Sequence, residues 1–596
     1  MSETLFDIFF RTAERLGEKG ALVPKIDGVF TEISYAKCAE TITDFAYGLH
    51  KLGVAKGDKV AILSENRPEW VFSDLAVFAL GGVTVPIYST LSAKQVEYIL
   101  NDSHSKILVI SQPECLDMVN KIFNNLKDLK RVITLFKPEE DVLQITHCYE
   151  DIIEEGKTLR SEKPELLQER RRELDGTDLA TIVYTSGTTG KPKGAMLTHS
   201  NFISNIKMSL EVIKIKEDDI LLSFLPICHV FERMAVYYMP LYVGCTIAYA
   251  ENIQAVGDNM REVRPTIMMS VPRLYEKMYN LVQDSVAKGS FIKKLIFKWC
   301  LRAGKKHYVA KKKGKVSRST KFKYSIAEKL VFCKLKERTG GRIRFFVSGG
   351  APLTKEIGEF FAYAGITILE GYGLTETSPV IAANPLEDCR IGTVGKPIPG
   401  VEVKIAEDGE ICTRGPHIMK GYYNNPVATK EVIDDDGWFH TGDIGFIDDD
   451  GYLTITDRKK NLIVTSGGKN IAPQMIENLM ATSRYIDQIV MFGDLRQFPS
   501  ALIVPSFENL EDYFKAENIP FSSRKELVDH PRTYQLIESE IKRLSVDLSN
   551  YEIIKKFIVL EHEFTQENDE LTPTLKVKRN VVEKKYAKEI EKMYSV

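Results

Sequence analysis

No two of the nine cysteines form a C-x-x-C pair, which excludes a zinc ribbon and a thioredoxin-like motif. Their odd number and wide scatter, from Cys38 to Cys412, exclude a disulfide framework and fit a reducing compartment. No apolar run reaches membrane length. The longest charge-free stretch, Met234–Ala250, has 17 residues and is broken by Pro240 and Gly244, short of the ~20 that span a bilayer; it reads as buried core. The opening residues carry Glu3, Asp7 and Glu14 and lack the basic start and unbroken apolar centre of a secretory signal. Internal repeats are absent. Apolar residues at 44% and charged residues at 27% exclude a disordered or collagenous chain, and 596 residues imply several domains or subdomains. A folded cytoplasmic protein is expected.

The net charge is only −2, but it is unevenly spread. Residues 291–344 hold 19 Lys and Arg against two acids, Glu328 and Glu337, which gives +17 there and −19 elsewhere. Such a segment seeks an anionic partner: a membrane surface, a nucleic acid or a phosphorylated substrate. Phe291, Leu295, Ile296, Trp299 and Cys300 recur at helical spacing among the lysines, as in a helix lying on an anionic bilayer. Peripheral membrane contact through 291–323, on the inner face, is one expectation; a solvated basic insertion is the other.

Short β-branched runs, KVAILSEN (59–66), GGVTVPIY (81–88) and KILVIS (106–111), alternate with the helix-like PEWVFSDLAVFAL (68–80) and AKQVEYILNDS (93–103). This alternation predicts parallel α/β sheets. From about Asp443 the texture changes. A charged hexapeptide, Asp457–Leu462, is followed by a helix over 473–483 and strands over 487–494 and 500–507. The expected architecture is a large α/β N-terminal domain (1–456), a hinge (457–462) and a small mobile α+β C-terminal domain (463–596).

Four stretches carry chemistry. In 179–201, a strand-like run ends in Thr185-Ser186-Gly187-Thr188-Thr189-Gly190, followed by Lys191-Pro192-Lys193-Gly194 and a second strand. Glycines let backbone N–H groups close on an anion, hydroxyls add donors, and Lys193 adds charge, as polyphosphate binding requires. It is not a Walker A loop, because Pro192 follows Gly190-Lys191 and no Gly stands five positions earlier. In 346–379, Ser348-Gly349-Gly350-Ala351-Pro352 and Gly371-Tyr372-Gly373-Leu374-Thr375-Glu376 each follow an apolar run. Glu376 stands where a dinucleotide fingerprint needs its third Gly, so that motif is excluded. Tyr372 between glycines can stack on a flat base, and Thr375 and Glu376 offer hard oxygens to Mg²⁺. In 437–460, Asp443 sits in a Thr-Gly-Asp turn from which a carboxylate could accept both hydroxyls of a ribose. Asp448–Asp450 miss the spacing of a calcium loop and read as a β-turn. In 571–579, Lys576 lies beyond a proline-containing turn.

These stretches, in this order, resemble the adenylate-forming (AMP-binding) superfamily. LPICHVFER (225–233), SGGKNIAP (466–473) and LTPTLKVKR (571–579) make the long-chain fatty acyl-CoA synthetases the most similar branch. The resemblance implies a large domain that holds ATP and the acid, with a small domain that rotates over it. It implies that Thr185 to Gly190 and Lys193 hold the phosphates. Gly349, Gly350, Ala351, Glu370, Gly371, Tyr372 and Gly373 would form the adenine pocket. Thr185 and Glu376 would bind Mg²⁺, Thr375 the phosphate, and Asp443 and Arg458 the ribose. Lys460 would be the hinge residue and a nucleotide contact, Lys576 the lysine of adenylation with Lys578 as the nearby alternative, and His229 a neighbour of the acid carboxylate. Gly467 and Gly468 would face the pantetheine of coenzyme A. Arg233 falls where some relatives carry a tryptophan gate over the fatty-acid tunnel. A homodimer is a family-based expectation.

The implied reaction is attack of a long-chain fatty carboxylate on the α-phosphorus of ATP, with pyrophosphate released. The thiol of coenzyme A then attacks the acyl-adenylate, leaving acyl-CoA and AMP. Transfer to an acyl-carrier protein is the alternative acceptor, since the basic segment could dock an acidic carrier. A non-catalytic nucleotide-, membrane- or nucleic-acid-binding protein is the alternative from another class. The presence of Glu376, Asp443, Arg458 and Lys576 argues against it, so no nucleic-acid partner is expected.

Overall fold

The computed structural model of this protein describes residues 2–138, 143–185, 191–466, 469–565, 568–572 and 577–595. The β-branched runs become the middle of an eight-stranded sheet, where Lys59–Leu63 lies parallel between Val83–Ile87 and Ile107–Ile110. Every residue of Val83–Ile87 is buried, as expected for a parallel strand covered on both faces. The helix Pro68–Ala79 starts on its proline, whose fixed φ suits a first turn, and is buried along most of its length. Leu179–Thr185 extends the sheet beside Val83–Ile87 and pairs antiparallel with Lys193–Thr198. Gly421–Tyr422 closes that edge.

A second sheet of nine strands has Thr246–Tyr249, Ile220–Ser223, Ile267–Ser270, Phe345–Ser348 and Ile368–Gly373 as its parallel centre. Between the sheets lies the apolar stretch expected to be core. It forms a π-helical turn, Arg233–Tyr238, then a helix, Met239–Val243, within a cluster that also takes in strands of both sheets. An antiparallel four-stranded sheet, from Glu402–Ile405 to Leu453–Arg458, joins the same cluster through Ile411, Phe439 and Leu453.

Beyond residue 462 the chain builds its own interior. The helix Pro473–Met480 and the strands Ile486–Phe492 and Ser500–Pro505 pack into clusters made only of later residues. This C-terminal unit touches the rest through Arg273 to Asp487 at 2.7 Å, Lys288 to Asp512 at 2.7 Å, and Asn478, which donates to the Pro352 carbonyl at 3.3 Å.

The basic segment folds as two helices, Phe291–Lys312 and Arg318–Ala327. The first rests on the helix Lys355–Tyr363 with Gly304 against the Tyr363 carbonyl, where an added Cβ would approach to 2.3 Å. Among the described residues no helix is long and apolar enough to cross a membrane.

Candidate active site

The site assembles where parallel strands end, the usual place for a ligand on an open α/β sheet. After Phe345–Ser348, the Gly349 N–H donates to the Ser270 carbonyl at 3.0 Å and ties the turn to the next strand. The Phe231 ring packs on Gly349, so that an added Cβ would sit 3.0 Å from it. Gly350 follows with φ +79°, and Gly350 and Ala351 are exposed. His229 caps the short helix Val230–Glu232, its Nδ1 accepting the Phe231 N–H at 3.2 Å. Because Phe231 covers Gly349, His229 is held close to this turn.

The neighbouring strand Ile368–Gly373 contributes Glu370, whose Oε1 accepts the Gly392 N–H at 3.2 Å. Burial pushes its carboxyl up to about 7. At Gly373 a Cβ would meet the Pro379 carbonyl at 1.9 Å, so only glycine allows the chain to fold back there. The turn that follows, Thr375–Thr377, leaves Thr375 and Glu376 partly exposed.

Two side-chain chains converge on this turn. The Lys193 ammonium lies over the Tyr422 ring, 5.2 Å from its centroid, and the Tyr422 hydroxyl donates to Glu376 Oε1 at 2.8 Å. Sheet pairing explains the meeting: Tyr422 lies opposite Ala195, and Lys193 lies opposite Thr185, whose hydroxyl donates to the Lys193 carbonyl at 3.4 Å. The Tyr372 hydroxyl donates to Asp443 Oδ2 at 2.6 Å, and Asp443 Oδ1 lies 3.1 Å from Arg458 Nε. Asp443 and Arg458 are cross-strand partners. Asp443, and more weakly Tyr372 and Glu376, hold the Arg458 guanidinium charged by raising its pKa. The two chains therefore share one electrostatic environment. Tyr372 is only 8% exposed, so its described contact is through its hydroxyl.

Arg458 is the second residue of the charged hexapeptide. The next residue, Lys459, donates its N–H to the Gly442 carbonyl at 2.8 Å and meets Glu410 at 3.0 Å and Asp408 at 2.5 Å. Lys460 follows in the same turn. Asp457 is buried, and its Oδ2 accepts the Gln474 N–H at 3.0 Å in the first turn of Pro473–Met480. Burial pushes Asp457 up to about 6. Ser186 to Gly190, Gly467, Gly468 and Lys576 lie outside the described residues.

Arg233 does not stand over a tunnel mouth as a gate would. It is wholly buried between the sheets, paired with Asp74, donating to Thr181 Oγ1 at 2.8 Å and Thr84 Oγ1 at 2.6 Å, and lying over the Trp70 ring. Cys228 is buried with its thiol pushed up by burial, as a core residue and not a nucleophile. Asp448 and Asp450 form a turn clamped by Arg390. The residue that the sequence reading missed is Tyr422.

The AMP-binding enzyme family matches residues 9–423, and the AMP-binding enzyme C-terminal domain matches 460–596. The chain belongs to the AMP-binding enzyme family. This AMP-binding enzyme is 38% identical over 573 residues to the long-chain-fatty-acid–CoA ligase FadD15 of Mycobacterium bovis, covering 96% of this chain and 93% of the relative. It is 33% identical to the peroxisomal long chain acyl-CoA synthetase 7 of Arabidopsis thaliana, covering 99% and 86%. The chloroplastic long-chain-fatty-acid–acyl-carrier-protein ligase AEE15 of the same plant is 30% identical, with 99% and 86% covered. Among solved structures, the anthranilate CoA ligase AuaEII in complex with anthranoyl-AMP shares the fold with a TM-score of 0.75 at 20% identity, covering 99% of this chain and 98% of that one. ATP-bound MatB from Rhodopseudomonas palustris does so with a TM-score of 0.68 at 24% identity, covering 98% and 99%.

Proposed function

We propose that this AMP-binding enzyme activates a long-chain fatty acid with ATP, releasing pyrophosphate, and then passes the acyl group to coenzyme A, leaving AMP. The observation that carries this reading is the meeting of Lys193, Glu376, Asp443 and Arg458 around one turn, joined through Tyr422 and Tyr372. A fatty carboxylate is a poor electrophile at carbon, so its oxygen must first attack the α-phosphorus. That chemistry is mostly positioning and charge neutralisation. In this reading Thr185 to Gly190 and Lys193 hold the phosphates and Thr375 steadies the α-phosphate. The turn at Gly349–Ala351 and the strand from Glu370 to Gly373 flank the base, and Asp443 and Arg458 hold the ribose. His229 sits by the acid carboxylate.

Glu376 and Thr185 fit Mg²⁺, since both offer hard oxygens and Glu376 Oε1 is held in place by the hydrogen bond it accepts from the Tyr422 hydroxyl. When bound, the metal neutralises phosphate charge. Lys460 and Lys576 complete the nucleotide contacts from the C-terminal side. Rotation about 457–462 then withdraws Lys576 and brings Gly467 and Gly468 to the coenzyme A thiol, which attacks the acyl carbonyl and expels AMP.

The same reading includes a homodimer, a cytoplasmic location and peripheral membrane contact through 291–323. Transfer to a carrier protein is the second reading, favoured by the similarity to the carrier-protein ligase. AMP release is to be measured against acids from acetate to oleate, with coenzyme A, holo-carrier or no acceptor. CoA-dependent AMP release that rises with chain length is expected. ADP as the product would sink the proposal, and preference for holo-carrier would replace it with the second reading.

A further inference from the structure

The helix Phe291–Lys312 has an inner face that fixes its rotation. Phe297, Cys300, Ala303 and Gly304 are buried. Phe297 packs near Phe360, with ring centroids 6.4 Å apart, and Gly304 rests on the Tyr363 backbone. What faces water is therefore determined. Phe291 is 75% exposed, Ile292 67% and Leu295 51%, and Ile296 and Trp299 are 39% exposed each. Their spacing, i, i+1, i+4, i+5 and i+8, places them along one stripe. Phe322 on the neighbouring helix Arg318–Ala327 is 68% exposed. Lys294, Lys298, Arg302, Lys305 and Lys306 share the outer surface of the first helix. Single exposed apolar residues are common on soluble proteins, but a continuous stripe rimmed by cations marks an interaction surface.

We propose that this helix pair docks on an anionic phospholipid bilayer. Phe291, Ile292 and Leu295 enter the headgroup–acyl boundary, Trp299 lies at the interface, and the Lys and Arg rim engages lipid phosphates. The inference deepens the membrane contact in the proposed function and rests on it. Charge complementarity favours any polyanion. The exposed Phe, Ile and Leu favour lipid over nucleic acid, whose backbone gives them no apolar phase. The supporting helix Lys355–Tyr363 starts just after the Gly349–Pro352 turn, so the helix that supports the docking face is joined directly to a turn of the proposed site.

The test is co-sedimentation of the full chain with phosphatidylcholine vesicles, with and without phosphatidylglycerol. Three chains are compared: wild type; Phe291→Ser with Ile292→Ser and Leu295→Ser; and Lys294→Gln with Lys298→Gln, Arg302→Gln and Lys305→Gln. All seven side chains lie outside the proposed active site, so AMP formation from octanoate reports that each variant is folded. The proposal expects binding that needs the anionic lipid, weakens with salt and falls at least about tenfold in each variant. Wild-type pelleting that neither variant alters would keep membrane contact but move it elsewhere, overturning this surface. No pelleting, together with binding of a DNA duplex that the serine variant retains, would overturn the membrane contact altogether. Loss of adenylation in wild type would instead strike the proposed reaction and leave the vesicle result standing.

Discussion

Arg233 and Asp74 form an ion pair with both side chains wholly buried, whereas Arg458 and Asp443 form one in which the aspartate side chain is 6% exposed and the arginine side chain 50%. The chemistry of the two pairs is the same. Around the first, every described partner is internal: Thr84, Thr181, Tyr237, Tyr238 and the Trp70 ring. Burial is the strongest influence on Arg233 and would lower its pKa, but Asp74 and the neighbouring tyrosines together outweigh it and the net shift is upward, so the cation persists inside. That pair rivets the turn Arg233–Tyr238 to the helix Pro68–Ala79 and to two strands. The second pair is steadied on one side by Tyr372 and opens on the other to solvent. An ion pair becomes a binding device when one end is left accessible, and a structural one when neither is.

Replacing Asp74 by Ala should have the largest effect. It strands a buried guanidinium and should cost about 3–5 kcal/mol of stability, read from the denaturant midpoint. Lys576→Ala should lower ATP–pyrophosphate exchange by ~10²–10³ while leaving conversion of supplied acyl-adenylate to thioester intact; unchanged exchange would remove Lys576 from the mechanism. Asp443→Ala leaves the buried Tyr372 hydroxyl unpaired but the Arg458 side chain half exposed, so it should cost only about 1–3 kcal/mol of stability while reducing AMP formation by ~10–150-fold, the range for a charged hydrogen bond. If it unfolds the protein as readily as Asp74→Ala, the contrast between the pairs fails.

Glu370 tests burial through pH. Its folded-state pKa is raised, so the neutral form is favoured on folding and stability is lost as pH rises from the ordinary carboxylate range towards about 7. Glu370→Gln should remove that slope, gaining ~1–3 kcal/mol over wild type at pH 8 relative to pH 4; parallel pH–stability curves would refute the shift. Smallest is Tyr422→Phe, which deletes one hydroxyl from Glu376 and should slow AMP formation ~3–10-fold. The loss should narrow as Mg²⁺ is raised, and Mn²⁺ titrated by electron spin resonance in the presence of ATP should bind more weakly.

Much of this was legible in the amino acids. Val83–Ile87 and Ile107–Ile110 are short apolar strands because β-branched residues suit buried parallel sheets. Gly373 was legible as one of the glycines flanking Tyr372; that a side chain there would meet the Pro379 carbonyl is a finding of the structure. What stayed hidden was pairing over long separations. Nothing near Tyr422 names Glu376 or Lys193; strand register alone brings the ring beneath one and the hydroxyl onto the other. Arg233 falls at a gate position by resemblance alone, and its buried pairing was not legible because its partner Asp74 lies 159 residues away. Local patterning reports which face a residue takes, but not which distant charge awaits it there.

The Asp457 carboxylate and the Lys459 side chain hold on to opposite sides of the proposed pivot: Lys459 to the sheet behind it, Asp457 to the helix ahead. The rotation proposed about this segment would have to unhook a helix start from a carboxylate that burial raises to about 6, so protonation of Asp457 and that rotation would be thermodynamically coupled through one side chain.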